Sequence, residues 1–299
     1  MTAPIKNDAR ELRPDWRAVA CGLPAAMFYL LFFFIPLGGL VLVSLSERPP
    51  TIGSRTVSLF RSGGLLSDRL LWDILGFTLA LAAVLTLVCL TLGFALALFI
   101  WSLHGRWKVL ALFAVLIPKL SNLLVTAYGL KFLLGDGGPV NSVLTTLRII
   151  AEPVPLIHNR LGVLLAETWF ILPYSVLILW ITLERLDGDL WAAARGLGAT
   201  PFQAMCRVTL PLALPGIVAA GTVTAVWGLG AYVGPALFGS PQELTLAVDI
   251  QRQAFENQDG PRAAVESLLL LATVGGLAIL HEIVQRRLVK QTRHPSEAA

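Results

Sequence analysis

Lys119 and Glu167 stand inside long apolar runs, where an ionisable side chain has to have a purpose. On insertion scales a charge at the centre of a spanning helix costs about 2.5 to 3.5 kcal/mol, so it must face protein, water or a counter-charge. Lys119 follows Pro118, about ten residues into the run from Val109 to Leu134, or roughly 15 Å at the helical rise. Glu167 lies about two turns into the run from Leu161 to Leu183. The two can pair and fix the packing of their helices, or line the path of a solute. Tyr128, Trp169, Tyr174, Trp227 and Tyr232 lie in the same kind of segment, where aromatic faces either surround a cation or serve packing. Pro118 and Pro173 each remove a backbone donor at membrane depth, which kinks a helix or turns free carbonyls toward a cavity.

Bond-making chemistry has no foothold. The chain contains no G-x-x-x-x-G-K-[ST], H-E-x-x-H or G-x-S-x-G motif. His104, His158, His281 and His294 fall in different segments without metal-ligand spacing, and Cys21, Cys89 and Cys206 are suited to packing rather than disulfides. No catalytic residue, metal or cofactor is therefore expected, the chain reads as a non-enzyme, and ATP-driven work would need a second subunit. Hydrophobic residues make up 56% of the 299 and charged residues 14%, far below the charge of a soluble domain. With a mean hydropathy of +0.72, the sequence predicts a polytopic all-α membrane protein. Its net charge of +4 is too small and scattered for a nucleic-acid partner.

The elements that must position Lys119 and Glu167 are apolar spans. Six are predicted, over 21–45, 71–100, 109–134, 161–183, 214–238 and 263–284, between polar tails at 1–20 and 286–299. The spans thus form one domain over 21–285. Pro49-Pro50 and Gly63-Gly64 mark a loop at 46–70, residues 135–141 are turn chemistry, and 240–261 is a polar loop with a short helix near 247–255. On that loop Asp249 and Glu256 are expected to be solvated, or to meet an external protein. Thirteen Lys and Arg residues fall on the side of the termini and eight on the other. The positive-inside rule then places both termini in the cytoplasm.

One polar island, Leu186 to Gly216, interrupts this pattern on the basic side. Asp189 before an alanine run predicts a short helix, broken by Gly196 and Gly198. Thr200-Pro201-Phe202-Gln203 predicts a second, with a capping box, and Pro211 is expected to end it. Trp191, Leu197, Phe202, Met205 and Val208 are apolar residues outside any span, and such residues want a partner.

The ordered run Ala193-Ala194-Arg195, Leu197-Gly198-Ala199, Phe202, Val208-Thr209-Leu210-Pro211 and Pro215 resembles the EAA loop of ABC importer permeases. Gly135 to Asn141 and Tyr232 to Gly239 are similar to segments of the spermidine/putrescine branch of that family. The resemblance covers about 71–284. It implies a permease of the bacterial inner membrane, working with a second permease, two ATPase subunits and an external solute-binding protein. It also implies that Ala192, Ala193, Ala194, Arg195, Gly198, Ala199, Phe202 and Pro211 form the cytoplasmic coupling helix gripped by the ATPase. The family's glutamate is replaced by Ala192, so docking is weaker or is carried by a companion, which favours a different chain as the second permease.

Lys119, Tyr128, Glu167, Tyr174, Trp227 and Tyr232 are the candidate solute pathway. The polyamine branch usually carries an arginine where Thr126 stands, and span-embedded carboxylates are few. A polyamine or other small organic ion is expected, with an anionic or zwitterionic solute open. The rival readings are a gradient-driven secondary transporter and a membrane scaffold that recruits a cytosolic partner.

Overall fold

The computed structural model describes residues 16–46, 68–186 and 188–293, and every regular element among them is helical. Residues 1–15 of the expected tail at 1–20, the bulk of the loop at 46–70 and the last six residues lie outside them, and residues 16–20 belong to the first helix rather than to a tail. Five helices are long and apolar enough to span a membrane, and a bent pair makes a sixth candidate.

The first span consists of α1 (Trp16–Tyr29) and α2 (Ile35–Ser44), joined by a π turn at Leu30–Phe34. Pro36 sits at the start of α2, where a proline's missing N–H would break the i→i−4 ladder, and the wider turn before it absorbs the interruption. This span rests on the last helix and is otherwise uncovered. The second span, α3 (Arg69–Ser102), begins at Asp68, whose side chain accepts the Leu70 N–H at 3.0 Å.

The third predicted span is not one straight helix. It comprises α4 (Arg106–Leu116), which tightens into a 3-10 turn at Ile117–Lys119, and α5 (Leu123–Leu134), which leaves at 96° to it. Pro118 cannot continue an α ladder, and Asn122 starts the new helix by accepting the Leu124 N–H at 2.8 Å. The turn at Gly135–Gly138 is shorter than expected, since α6 (Pro139–Thr146) begins with proline at its first position.

Pro173 does not break its span. It is buried within an uninterrupted α7 (Arg160–Glu184), capped by Asn159. In the polar island, α8 (Gly188–Gly196) is followed by α9 (Pro201–Ala204). Pro211 does not stop the second of these helices. A π turn at Met205–Thr209 lets the Leu210 N–H reach the Met205 carbonyl, and the chain runs directly into α10 (Leu210–Leu229). At the other end, the predicted fifth span is too long, because α10 stops at Leu229 and residues 233–238 form a separate helix, α11 (Val233–Phe238). The short helix of the polar loop is α12 (Leu246–Gln251), and the last is α13 (Gly260–Arg293).

The centre is the trio α3, α7 and α10. Gly228 explains the close approach of α10 to α3, since a Cβ there would lie 2.8 Å from the Ala82 Cα. Buried Ser175 and Thr224 share a hydrogen bond of 2.7 Å across α7 and α10. Leu81, Ala127, Val163, Phe170 and Phe238 form the apolar core beside the break in the third span.

Candidate solute site and coupling loop

Three helix ends and one unbroken helix meet around Trp227. Glu167, on α7, is 1% exposed, and both carboxylate oxygens are occupied: Trp227 donates its indole N–H at 2.7 Å, and the Gly234 backbone N–H donates at 3.0 Å. Gly234 has to be glycine, because a Cβ there would run into the Glu167 carboxylate. Trp227 lies in the last turn of α10 and Gly234 in the first turn of α11, so the break between them aims two donors at one carboxylate. Charge-assisted hydrogen bonds of this kind are the strong ones.

Of the two expectations for Lys119, the ion pair with Glu167 is not formed. Among the described residues the lysine has no carboxylate within ion-pairing distance. Its ammonium instead lies 4.8 Å from the centre of the Tyr174 ring and 5.8 Å from that of Trp227. Trp227 therefore serves both charges, its edge bonded to Glu167 and its face toward Lys119. A small hollow of about 110 Å³ is lined by Lys119, Ser121, Thr126, Trp169, Tyr174 and Trp227. A second, of about 340 Å³, shares Leu123, Phe170 and Trp227 with it and reaches Glu167 and Tyr232. The second falls within the roughly 300 to 1,000 Å³ of small-molecule sites.

Of the residues predicted from the sequence, Lys119, Glu167, Tyr174, Trp227 and Tyr232 are brought together. Tyr128 is not: it lines neither hollow and is 60% exposed on α5, whose Leu123 and Thr126 do reach the first hollow. Sequence reasoning missed Ser121 and Phe170, and above all the Gly234 N–H, because a backbone donor becomes available only where a helix is interrupted. Asp249 was expected to be solvated but is 3% exposed, bonded by Gln253 and close to Arg262. Glu256 instead forms a surface pair with Arg252.

The polar island folds as two short helices around a tight turn. Gly198 has φ +88°, a conformation that side chains with a Cβ rarely adopt. The Arg195 guanidinium donates to the Ala199 carbonyl at 2.7 Å, and Thr200 and Gln203 form the expected reciprocal cap. Ala192, Ala193, Arg195, Gly198, Phe202 and Pro211 are exposed, while Ala194 and Ala199 are half-buried. Leu197 and Phe202 are 90% and 76% exposed. Trp191 is held by an edge-on contact with Trp101 at the end of α3, with centroids 6.4 Å apart.

A bundle of apolar helices, with one span broken beside a buried carboxylate and an aromatic hollow, defines a membrane permease. Residues 19–294 match the family of binding-protein-dependent transport system inner membrane components, and the chain belongs to that family. It is 30% identical over 268 residues to the spermidine/putrescine transport system permease protein PotB of Salmonella typhimurium strain SL1344, covering 90% of this chain and 93% of that protein. Against PotB of Escherichia coli K12 the identity is 29% over 262 residues, covering 88% and 95%. Its fold is similar to that of a chain of a bacterial alginate ABC transporter, solved with a periplasmic protein carrying an alginate pentasaccharide. The TM-score there is 0.76 at 17% identity, covering 94% of this chain and 98% of that one.

Proposed function

We propose that this permease subunit conducts a small organic cation of the polyamine class through the hollow around Trp227, driven by a separate ATPase. The observation that carries the reading is the aromatic box of Tyr174 and Trp227, which already holds an ammonium group, backed by the buried Glu167 carboxylate. Electron-rich ring faces and a nearby negative charge stabilise an amine stripped of part of its water. The names of the PotB relatives support the same solute class.

In this reading both termini and the polar island are cytoplasmic. The exposed face of Leu197 and Phe202, with Ala192, Ala193, Ala194, Arg195, Gly198, Ala199 and Pro211 around it, seats in an ATPase subunit, and two such subunits act together. A second permease, a different chain, completes the pathway in the inner membrane, and an external binding protein delivers solute. ATP binding draws the coupling helices together and switches the hollow between the two sides.

The test is uptake of radiolabelled putrescine into proteoliposomes holding the complete importer. Accumulation that requires ATP and binding protein supports the reading. Accumulation driven by an ion gradient without ATP would make it a secondary transporter, and no accumulation of any solute would leave a scaffold. Lys119, which has no carboxylate partner among the described residues, supports a second reading in which the solute is an anion. Uptake of an organic anion that is lost in Lys119→Met would establish it.

A further inference from the structure

We infer that the Lys119 ammonium occupies the position at which the pathway holds a primary ammonium of its solute, so that Lys119 is a tethered competitor for its own transport site. This rests on the cation reading above and adds how the site is kept when no solute is present.

The geometry separates two kinds of cation contact. Each Glu167 oxygen already accepts one hydrogen bond within the protein, from Trp227 Nε1 and Gly234 N, and the residue is only 1% exposed. The ring faces of Tyr174 and Trp227 are the contacts open to a cation, and Lys119 takes them both. Ring faces attract any ammonium that reaches them, so the contact belongs to the box and not to this lysine. A lysine side chain is four methylenes ending in a primary ammonium, the same unit that ends a linear diamine such as putrescine. An anion fits poorly here, because the π faces present negative charge to whatever they cover.

Lys119 is also placed to leave. It is half-buried in the last turn of the short helix at Ile117–Lys119, and the following residues, up to the cap at Asn122, are non-helical. Swinging a flexible stem out of the box disrupts no ion pair with a described residue. It also opens the hollow that Ser121, Thr126 and Trp169 line beside it. The tethered and the free ammonium occupy the box in turn, each excluding the other.

If the tethered ammonium fills the box about nine-tenths of the time, a free amine binds roughly tenfold more weakly than to an empty box. The experiment is equilibrium binding of radiolabelled putrescine to the nucleotide-free complex of ATPase and permease subunits, without the binding protein. Wild type, Lys119→Met and Lys119→Arg are compared, each recovered as an intact complex by gel filtration. Lys119→Met is expected to bind about tenfold more tightly. Lys119→Arg, whose cation still covers the rings, is expected to stay within about twofold of wild type. Lys119→Gln gives the same comparison if the methionine variant does not assemble.

Equal or weaker binding in the neutral variants overturns the inference, as does an arginine variant as tight as the methionine one. ATP-dependent uptake by the wild-type importer is measured in parallel. Uptake without tighter binding in the neutral variants sinks the competitor and leaves the permease reading intact. Tighter binding without uptake keeps the competitor and refutes the solute assigned.

Discussion

Gly198→Ala isolates backbone conformation from everything else in the 188–209 loop. At φ +88° a Cβ strains the backbone, and nothing lies within 4 Å of where that Cβ would sit. The substitution therefore adds no clash and removes no contact, only the freedom that glycine gives. Left-handed geometry costs a residue with a Cβ about 1 to 2 kcal/mol. That cost falls on the observed turn and not on alternatives with negative φ, so the ratio of correctly shaped to other loops falls by a factor of about 5 to 30, which bounds the loss in docking. Gly196 is the control, two residues away, within the helix at ordinary φ and equally open around its Cβ. The assay is ATP hydrolysis by the reconstituted importer with loaded binding protein, titrating the ATPase subunit. Gly198→Ala should raise the half-maximal ATPase concentration by up to that factor, while Gly196→Ala stays within about twofold. A silent Gly198→Ala, or equal losses in both variants, would refute the link between this turn and coupling.

Three further outcomes are expected. Gly228→Ala places a methyl against the Ala82 backbone and should lower stability by about 1 to 3 kcal/mol, read as an earlier thermal midpoint of the purified complex. Trp227→Phe keeps a ring face but removes the donor to buried Glu167. It should cost about 1.5 to 3 kcal/mol of stability and be largely relieved in the double variant with Glu167→Gln, tested by the thermal midpoints of all four proteins. Thr200→Ala removes one half of the capping box and should cost about 1 kcal/mol, seen as faster proteolysis within the 188–209 loop while the spans remain protected.

The spans and the two short helices of the polar island were legible in the sequence because each rests on local physics. Hydropathy located the long helices, and Thr200, Pro201 and Gln203 announced their cap in consecutive positions. The prolines were read less well, since their effect depends on what surrounds them. Pro118 lies beside a residue that can begin a new helix, Asn122, and the span breaks there. Pro173 is buried within its helix and does not break it. Pro211 is accommodated by a π turn that no residue pattern forecasts. For Lys119 and Glu167 the sequence left a pair or a shared cavity open, and their relation was not legible, because it runs through Trp227, 60 positions beyond Glu167.

That link also ties together the two helices that enter and leave the 188–209 segment. Glu167 and Trp227 lie on α7 and α10, and Ser175 and Thr224 join the same two helices again at 2.7 Å. Sliding one helix along the other by a few ångströms has to break these bonds, because a hydrogen bond weakens steeply beyond about 3.2 Å. The Glu167 carboxylate, 1% exposed, would then lose a donor, and that cost opposes the movement.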